Sequence, residues 1–230
     1  MRTMIAVVLA AGLLGLVGAG AGWAADIVTV PTANQLKAGE VDLAYYYLWL
    51  DMPPGAPQNV QAQTLYAGVT DWLEIDLHRY DLDTVGNSTI WNATALVLKE
   101  TRTRPNVVIG GRNLGEQATT PDPRSANTSY HISAAKTLFL PEQGPPQLPI
   151  IRLHLSLGTE DWTLLGERRH QGVFGGVQML FTPQLGLVVL DDSRNLITGL
   201  TYTRNPRWPT IKGGSYGRHR WVGISYTFSH

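Results

Sequence analysis

Long stretches of alternating apolar and polar residues are the feature that most constrains this chain. In Val41–Trp49 the odd positions carry Val, Leu, Tyr, Tyr and Trp, and in 151–157 they carry Ile, Leu, Leu and Leu. Successive side chains of a β-strand point to opposite faces, so a period of two predicts strands with one apolar face each. The same alternation recurs in 73–78 and in 221–228. The pattern predicts an all-β protein.

Eleven segments carry this strand signal, and a weaker stretch at 207–212 offers a twelfth. The eleven predicted strands are 39–50, 59–69, 71–80, 89–101, 106–113, 128–140, 149–158, 171–182, 185–191, 196–204 and 217–228. Bacterial membrane barrels have even strand counts. We therefore expect about 12 antiparallel strands, with 10 as the alternative.

Strand length, aromatic residues and loop length favour an antiparallel transmembrane β-barrel over a soluble periplasmic β-sandwich. Segments such as 39–50 and 128–140 exceed the roughly 9–11 residues of a membrane strand, whereas soluble strands average about 5–6. Short turns such as Thr70-Asp71 alternate with longer connections such as 114–127, as in outer-membrane barrels. Aromatic rings favour the lipid headgroup layer. Aromatic residues at or near predicted strand ends are Trp49, Trp72, Tyr80, Trp91, Trp162, Trp208 and Trp221.

The first 24 residues have the pattern of a secretory signal peptide. A short positive segment, Met1-Arg2-Thr3, precedes an apolar run at 4–17, and Gly22-Trp23-Ala24 supplies small residues before a cleavage site. The alternative is an uncleaved anchor, but the run is short against the roughly 20 residues of a bilayer span. We therefore expect residues 1–24 to be removed, 25–38 to be an N-terminal periplasmic segment, and 39–230 to form the barrel.

Composition excludes several classes of function. Eighteen Lys and Arg balance eighteen Asp and Glu, so no basic excess indicates a nucleic-acid partner. The absence of cysteine excludes disulfides, thiolate metal sites and a cysteine nucleophile. The six histidines and the scattered aspartates have no metal-binding spacing. We expect no metal, no cofactor and no nucleic acid.

A series of short motifs, taken in order, resembles a known family. The motifs are Pro31-Thr32-Ala33, Gly68-Val69-Thr70-Asp71-Trp72-Leu73-Glu74, Leu98-Lys99-Glu100, Pro105-Asn106-Val107-Val108-Ile109-Gly110-Gly111-Arg112-Asn113, Ser133-Ala134-Ala135-Lys136, Phe174-Gly175-Gly176-Val177-Gln178 and Thr182-Pro183. In this order they resemble the YjbH-like outer-membrane barrels associated with exopolysaccharide secretion. The resemblance implies a single short module in the bacterial outer membrane, with a structural or export-associated role.

The sequence departs from the family pattern at two points, and the resemblance also implies partners. The chain has Leu190-Asp191-Asp192 where the family often has a Glu-Tyr pair, and full-length members are longer. The final strand ends in Tyr226 and Phe228 and resembles the signature read by the barrel-assembly machinery, although Ser229-His230 follow. Expected partners are outer-membrane lipid, that machinery, and polysaccharide or its export machinery.

The alternation assigns candidate residues to the two faces of the barrel. Lumen-lining candidates are Glu74, Asp76, His78, Arg112, Arg152 and His154. Lipid-facing or girdle candidates are Tyr45, Tyr47, Trp49, Trp72, Trp91, Tyr226 and Phe228. The inward charges either form a fixed network that plugs the barrel or line a narrow pore. A barrel of about 12 strands lies between filled and open ones, so a small passive, porin-like channel is the alternative function.

A lipid-modifying barrel enzyme is a weaker hypothesis. His154 and Ser156 share a strand face, as do His131 and Ser133, and serine with histidine is a hydrolase pairing. Such pairs arise by chance in alternating strands, and the chain has no G-x-S-x-G nucleophile elbow. We predict no catalytic residues.

Overall fold

The protein folds as a closed antiparallel barrel. The computed structural model describes residues 26–27, 30–83, 86–114, 128–139, 148–159, 163–164 and 167–229, so the predicted signal peptide lies outside the described residues. Twelve strands each pair with their neighbours in sequence, and the last pairs with the first. They are β1 Val41–Trp49, β2 Asn59–Thr70, β3 Leu73–Leu82, β4 Gly86–Leu98, β5 Asn106–Arg112, β6 Ser129–Thr137, β7 Ile150–Gly158, β8 Gly172–Leu180, β9 Leu185–Asp191, β10 Leu196–Thr203, β11 Thr210–Tyr216 and β12 His219–Phe228. The predicted 12-stranded all-β barrel is confirmed.

Alternating sequence produces two different faces on each strand. In β1 the even positions are buried and the odd positions are partly or fully exposed. On β7 the arginine, histidine and serine at even positions are buried, while Leu155 is 62% exposed. A soluble protein would cover such a face, because large exposed apolar surfaces mark contact with a partner or a membrane. The apolar side chains therefore form the outer belt of the barrel, and the polar ones line its lumen.

Aromatic rings packed over glycines fill part of the lumen. A Cβ atom on Gly223 would lie 2.4 Å from Cδ1 of Tyr46, and one on Gly199 would lie 2.5 Å from Cζ2 of Trp221. These glycines leave room on the inner wall for the two rings. Trp221 and Tyr80, expected at a membrane interface, are instead buried inside, because their strand positions share the inner face. The prediction for these two aromatic residues was wrong.

Most buried apolar side chains belong to one cluster that joins strands from opposite sides of the barrel. Its buried members are Val30, Ala44, Tyr46, Leu48, Leu50, Val60, Ala62, Tyr80, Ile90, Phe174, Val188, Leu190, Ile197, Tyr216 and Trp221. Most come from β1, β2 and β8–β12. One half of the lumen is thus packed like the core of a soluble protein.

Connections between strands lie at two ends, which we call the terminal end and the distal end. β1 begins and β12 ends at the terminal end, where Val41 pairs with Phe228. The twelve-residue connection 138–149 also lies there, while the tight turn at Gly217, with φ +57, lies at the distal end. Loop length alone therefore does not separate the ends as cleanly as the sequence predicts. Among the described residues, no helix is long and apolar enough to cross a membrane.

Candidate functional site

The six lumen-lining candidates lie on the inner wall in one half of the barrel. Glu74, Asp76 and His78 are on β3, Arg112 is on β5, and Arg152 and His154 are on β7. Each is no more than 8% exposed. This polar half, β3–β8, faces the apolar half described above. These six residues are thus concentrated on one side of the lumen, while the charged residues Asp42 of β1 and Lys212 of β11 are buried on the other side.

Alternate residues of β3 form a row of hydrogen-bonded polar groups. Oδ2 of Asp76 lies 2.8 Å from Nε2 of His78, and the Nδ1 atom of His78 lies 3.2 Å from the hydroxyl of Tyr80. Asn92 of β4 also donates its side-chain amide to Asp76, over 3.1 Å. A buried carboxylate is costly unless such donors surround it. The row thus gives Oδ2 of Asp76 two polar partners inside the barrel.

Residues 30–38, which we call the inner segment, enter the barrel: residues 30–36 lie inside it, and Lys37 and Ala38 are exposed at its terminal end. Val30 and Ala33 are completely buried. The backbone NH of Leu36 donates to Oε2 of Glu74 on β3, over 2.8 Å. Farther along, Asn34 accepts from Nε of Arg152 on β7, over 2.8 Å, and donates to Gln178 on β8, over 3.2 Å. Contacts with inward side chains of β3, β7 and β8 are possible only from within the lumen.

Two further hydrogen bonds attach the inner segment to neighbouring strands. Gln35 donates its side-chain amide to the carbonyl of Thr94 on β4, over 3.1 Å, and Asn106 of β5 donates to the carbonyl of Ala33, over 2.7 Å. We expected 25–38 to be a separate periplasmic segment. The structure differs for 30–36, which lie inside the barrel because their backbone and amide side chains form hydrogen bonds with groups of the inner wall.

Gly68 on β2 allows the inner segment to approach the wall closely. A Cβ atom on Gly68 would lie 1.9 Å from the carbonyl oxygen of Lys37. That oxygen belongs to the backbone and cannot rotate away as a side chain could. The backbone NH of Gly39 also donates to the carbonyl of Gly68, over 2.8 Å. Only glycine fits at this position without moving the segment.

A cluster of charges at the terminal end, which we call the latch, connects the β4–β5 connection to β6 and β7. Glu100 forms ion pairs with Arg152 and, over 3.3 Å, with Lys136. Burial by itself would raise the pKa of Glu100, but the backbone NH of Thr137 and the guanidinium of Arg152 outweigh it and hold that pKa below its usual value. Lys136 lies on the apolar face, as its sequence position predicts, and the latch provides its partner.

A second charged cluster lies at the distal end. Arg169 forms a buried ion pair with Asp192, over 3.3 Å, and its guanidinium lies over the ring of Tyr216. The hydroxyl of Tyr216 also donates to Asp192. Burial raises the pKa of Asp192, and Arg169 opposes that rise. Burial lowers the pKa of His170 well below its usual value, and Arg112 and Arg169 lower it further.

The seven lipid-facing candidates lie on the outer face of the barrel. Trp49, Trp72 and Trp91 are the most exposed of them, at 48%, 56% and 44%. The other four are partly exposed and alternate with inward residues on β1 and β12: Tyr45, Tyr47, Tyr226 and Phe228. Trp49 lies at the distal end and Trp72 at the terminal end, as girdle residues would.

The serine and histidine pairs of the lumen form contacts with other residues. Nε2 of His154 lies 2.8 Å from Oε1 of Gln178, and the hydroxyl of Ser156 donates to Ser133 over 2.7 Å. His131 lies over Gly110. No hydrolase-like arrangement of serine, base and orienting group emerges from these contacts. Within the part of the chain that the structure describes, no group of three potential ligands could hold a metal ion.

The sequence analysis did not single out several residues of the lumen, among them Asn34, Glu100 and Gln178. Gln178 alternates with outward apolar residues of β8, so its inward position could have been found from the alternation. Asn34 lies outside the strands, where alternation carries no signal. Glu100 falls within the predicted strand 89–101, but in the structure it follows β4 in the β4–β5 connection. Their positions depend on partners distant in sequence.

Comparison with solved structures identifies the architecture. A KdgM porin aligns with a TM-score of 0.50 and 10% identity, covering 82% of this chain and 99% of that chain. The chain has the fold of a porin barrel. A KdgM porin in complex with disordered oligogalacturonate aligns with a TM-score of 0.49 and 10% identity, covering 83% of this chain and 99% of that chain. The N-terminal β-barrel domain of Pseudomonas aeruginosa OprF aligns with a TM-score of 0.28 and 11% identity, covering 84% of this chain and 100% of that chain.

These similarities concern the fold alone. No family model matches the sequence, and no curated protein matches it.

Proposed function

We propose that this protein is a porin-like channel of the bacterial outer membrane whose lumen is closed by its own inner segment. The closed barrel, its apolar outer belt and its charged inner wall support this proposal. Barrels of the outer membrane place both ends of the chain in the periplasm. The terminal end then faces the periplasm, and partners include outer-membrane lipid and the barrel-assembly machinery.

The observation that carries the proposal is how the inner segment occupies the polar half of the lumen. Its residues 33–36 are held by hydrogen bonds to Glu74, Thr94, Asn106, Arg152 and Gln178. Water can replace such bonds at modest net cost. The segment also packs Val30, Ala33 and Leu36 against apolar side chains of the wall. Withdrawal of the segment would leave a polar tract along β3–β8.

That tract would pass through the barrel from end to end. Glu74 and Arg152 lie near the terminal end of their strands, and Arg112 is the last residue of β5 at the distal end. Asp76, His78 and His154 lie between them. Charged and hydrogen-bonding walls of this kind set the preference of a narrow pore for polar solutes.

Recording in planar lipid bilayers tests the proposal. We compare the purified mature protein with a variant lacking residues 30–36, after checking by heat-modifiable gel migration that both form barrels. We expect brief or small openings for the complete protein and sustained conductance for the variant. Two folded barrels that both fail to conduct would refute a channel function.

We also propose, as a second candidate, a role in exopolysaccharide export. The motifs behind the YjbH-like resemblance support it because several meet at the terminal end of the lumen: Ala33 contacts Asn106, and Glu100 contacts Lys136. Deleting the gene should then lower the amount of polysaccharide outside the cell, and restoring it should reverse the loss. Unchanged polysaccharide would remove this candidate.

A further inference from the structure

The outer face of the barrel has an apolar groove of about 730 Å³ along β4–β7. Its floor consists of small residues, including Ala93 and Gly111, and its walls include Ile109, Tyr130 and Ile132. Ile109, Tyr130 and Ile132 are about half exposed, so the groove opens outward. It is a depression in the belt that faces lipid in the proposed membrane.

Gly111 of β5, on the outer face, leaves the space for this groove. Gly111 pairs with Ala93 on one side and with Tyr130 on the other, so two small residues lie beside a large ring. A Cβ on Gly111 would lie 2.7 Å from a methyl carbon of Leu114. Any larger side chain at this position would therefore narrow the depression.

A second depression, of about 320 Å³, continues the first toward the terminal end. Ala134, Leu153 and Leu155 line it, together with Lys136. Ile132 pairs with Leu157 in the first groove, and Ala134 pairs with Leu155 in the second. These pairs are consecutive on the outer face, so the two depressions lie end to end and form one apolar track along β6 and β7.

The terminal end of the track carries positive charge. Lys136 borders it, and the adjacent β4–β5 connection holds three exposed basic residues, Lys99, Arg102 and Arg104. Among the described charged side chains at the terminal end that are not buried, seven are basic and three are acidic. The basic ones are Lys37, Lys99, Arg102, Arg104, Lys136, Arg204 and Arg207, and the acidic ones are Glu40, Asp71 and Glu100.

The geometry points to a binding site for an anionic phospholipid from the leaflet at the terminal end. The acyl chain lies along the apolar track, and the headgroup phosphate binds the basic side chains at 99–104. Arginine pairs well with phosphate through two parallel hydrogen bonds. Basic residues at a membrane surface also attract anionic lipid generally. This inference rests on the membrane location proposed above, but it does not require that the barrel conduct.

Native mass spectrometry of the folded barrel tests the inference. The protein is titrated in detergent with phosphatidylglycerol or with phosphatidylcholine carrying the same acyl chains. We expect one phosphatidylglycerol molecule to be retained at about tenfold lower concentration than phosphatidylcholine. Equal retention of the two lipids would overturn the headgroup assignment.

Variants of the basic residues and variants of the apolar track test the binding of the headgroup and of the acyl chain independently. The triple change Lys99→Gln, Arg102→Gln and Arg104→Gln should remove the preference for phosphatidylglycerol, whereas Arg204→Gln with Arg207→Gln, at the same end, should keep it. Gly111→Leu should weaken retention of both lipids, and Ala134→Leu serves the same purpose if Gly111→Leu does not fold.

The control for filling the track is Gly213→Leu, which changes an outward glycine on β11. Track variants that retain phosphatidylglycerol as the wild type does would overturn the inference. Dimers that form without lipid and disappear on filling the track would overturn it too, because a second copy of the chain would then be the occupant.

Discussion

The absence of a Cβ atom at Gly68 allows the inner segment to pack against β2. The carbonyl of Lys37 occupies the space that any side chain at position 68 would need. Gly68 also exchanges backbone hydrogen bonds with Gly39 and Glu40, so it anchors the segment where β1 begins. The residue lies in a motif of the YjbH-like resemblance, and this close contact supplies a physical reason for a glycine there.

We predict that Gly68→Ala displaces the inner segment without unfolding the barrel. The added methyl group would overlap a backbone oxygen, so the segment must move away from β2. Amide hydrogen exchange should then be faster at Leu36 and Gly39, while heat-modifiable migration is retained. The matched control is Gly213→Ala, since the nearest atom to its Cβ lies at an ordinary 3.4 Å. Unchanged exchange at Leu36 in Gly68→Ala would show that the contact does not hold the segment.

The latch joins four elements through one carboxylate. Glu100, in the β4–β5 connection, binds Lys136 and the backbone of Thr137 on β6, and Arg152 on β7. Arg152 in turn donates to Asn34 of the inner segment. The packing of these elements therefore depends on the ionisation of Glu100.

We predict that acid weakens the latch. Because the pKa of Glu100 is lower in the folded protein than in the unfolded chain, its ionised form stabilises the fold above the ordinary value of about 4.3. That contribution is lost as the pH falls through the folded-state pKa. The melting temperature of the wild type should fall more between pH 5 and pH 3 than that of Glu100→Gln.

The control is Asp81→Asn, which breaks the exposed pair of Arg79 with Asp81. Its melting temperature should respond to acid as that of the wild type does. Equal acid sensitivity in all three proteins would argue against the latch.

Strand by strand, the sequence predicts the fold well because alternation is a local signal. The weak stretch near 207–212 corresponds to the twelfth strand, β11. Residues 90–98 have apolar side chains on both faces beside the polar Asn92 and Thr94, a mixture that alternation alone could not explain. The structure shows that Ile90 packs into the apolar half of the lumen and that the β4–β5 register shifts between Leu96 and Leu98.

The inner segment could not be predicted in the same way. Its residues Thr32, Asn34 and Gln35 have no periodicity and resemble a loop. Its position depends on partners far away in the chain: Asn34 and Gln178 are separated by 144 residues. Only the closed barrel brings such groups together, so a single sequence carries no local signal of the contact.

At the scale of the whole molecule, the barrel has its apolar surface outside and much of its charge inside. Leu155, Leu200 and Val222 are 62%, 55% and 46% exposed, while Glu74, Asp76 and Arg112 are buried. This arrangement is the reverse of a soluble domain and fits a surrounding of lipid chains. The energetic cost of an outward charge can therefore test whether the belt faces lipid.

We predict that Leu200→Arg, near the middle of β10, costs about 2–4 kcal/mol when the barrel folds into lipid bilayers. The cost arises because the guanidinium must leave water. Leu196→Arg, equally exposed but at the distal end of the same strand, should cost no more than about 1 kcal/mol. Urea titrations of folding into vesicles measure both. Near-zero costs at both positions would indicate that the belt faces water.

Closure of the lumen by the inner segment is tested most directly with a reversible covalent link. The chain has no cysteine, so two cysteines introduced at Ala33 and Val108, or at Ala33 and Ala135, are the only thiols of the variant. The side chains of Ala33, Val108 and Ala135 belong to one packed cluster, which is why we choose these positions. Single-channel recording of the oxidised variant should show a closed barrel, and a reductant should restore the openings of the unlinked protein. Equal conductance before and after reduction, with the disulfide verified by mass spectrometry, would contradict closure by residues 30–38.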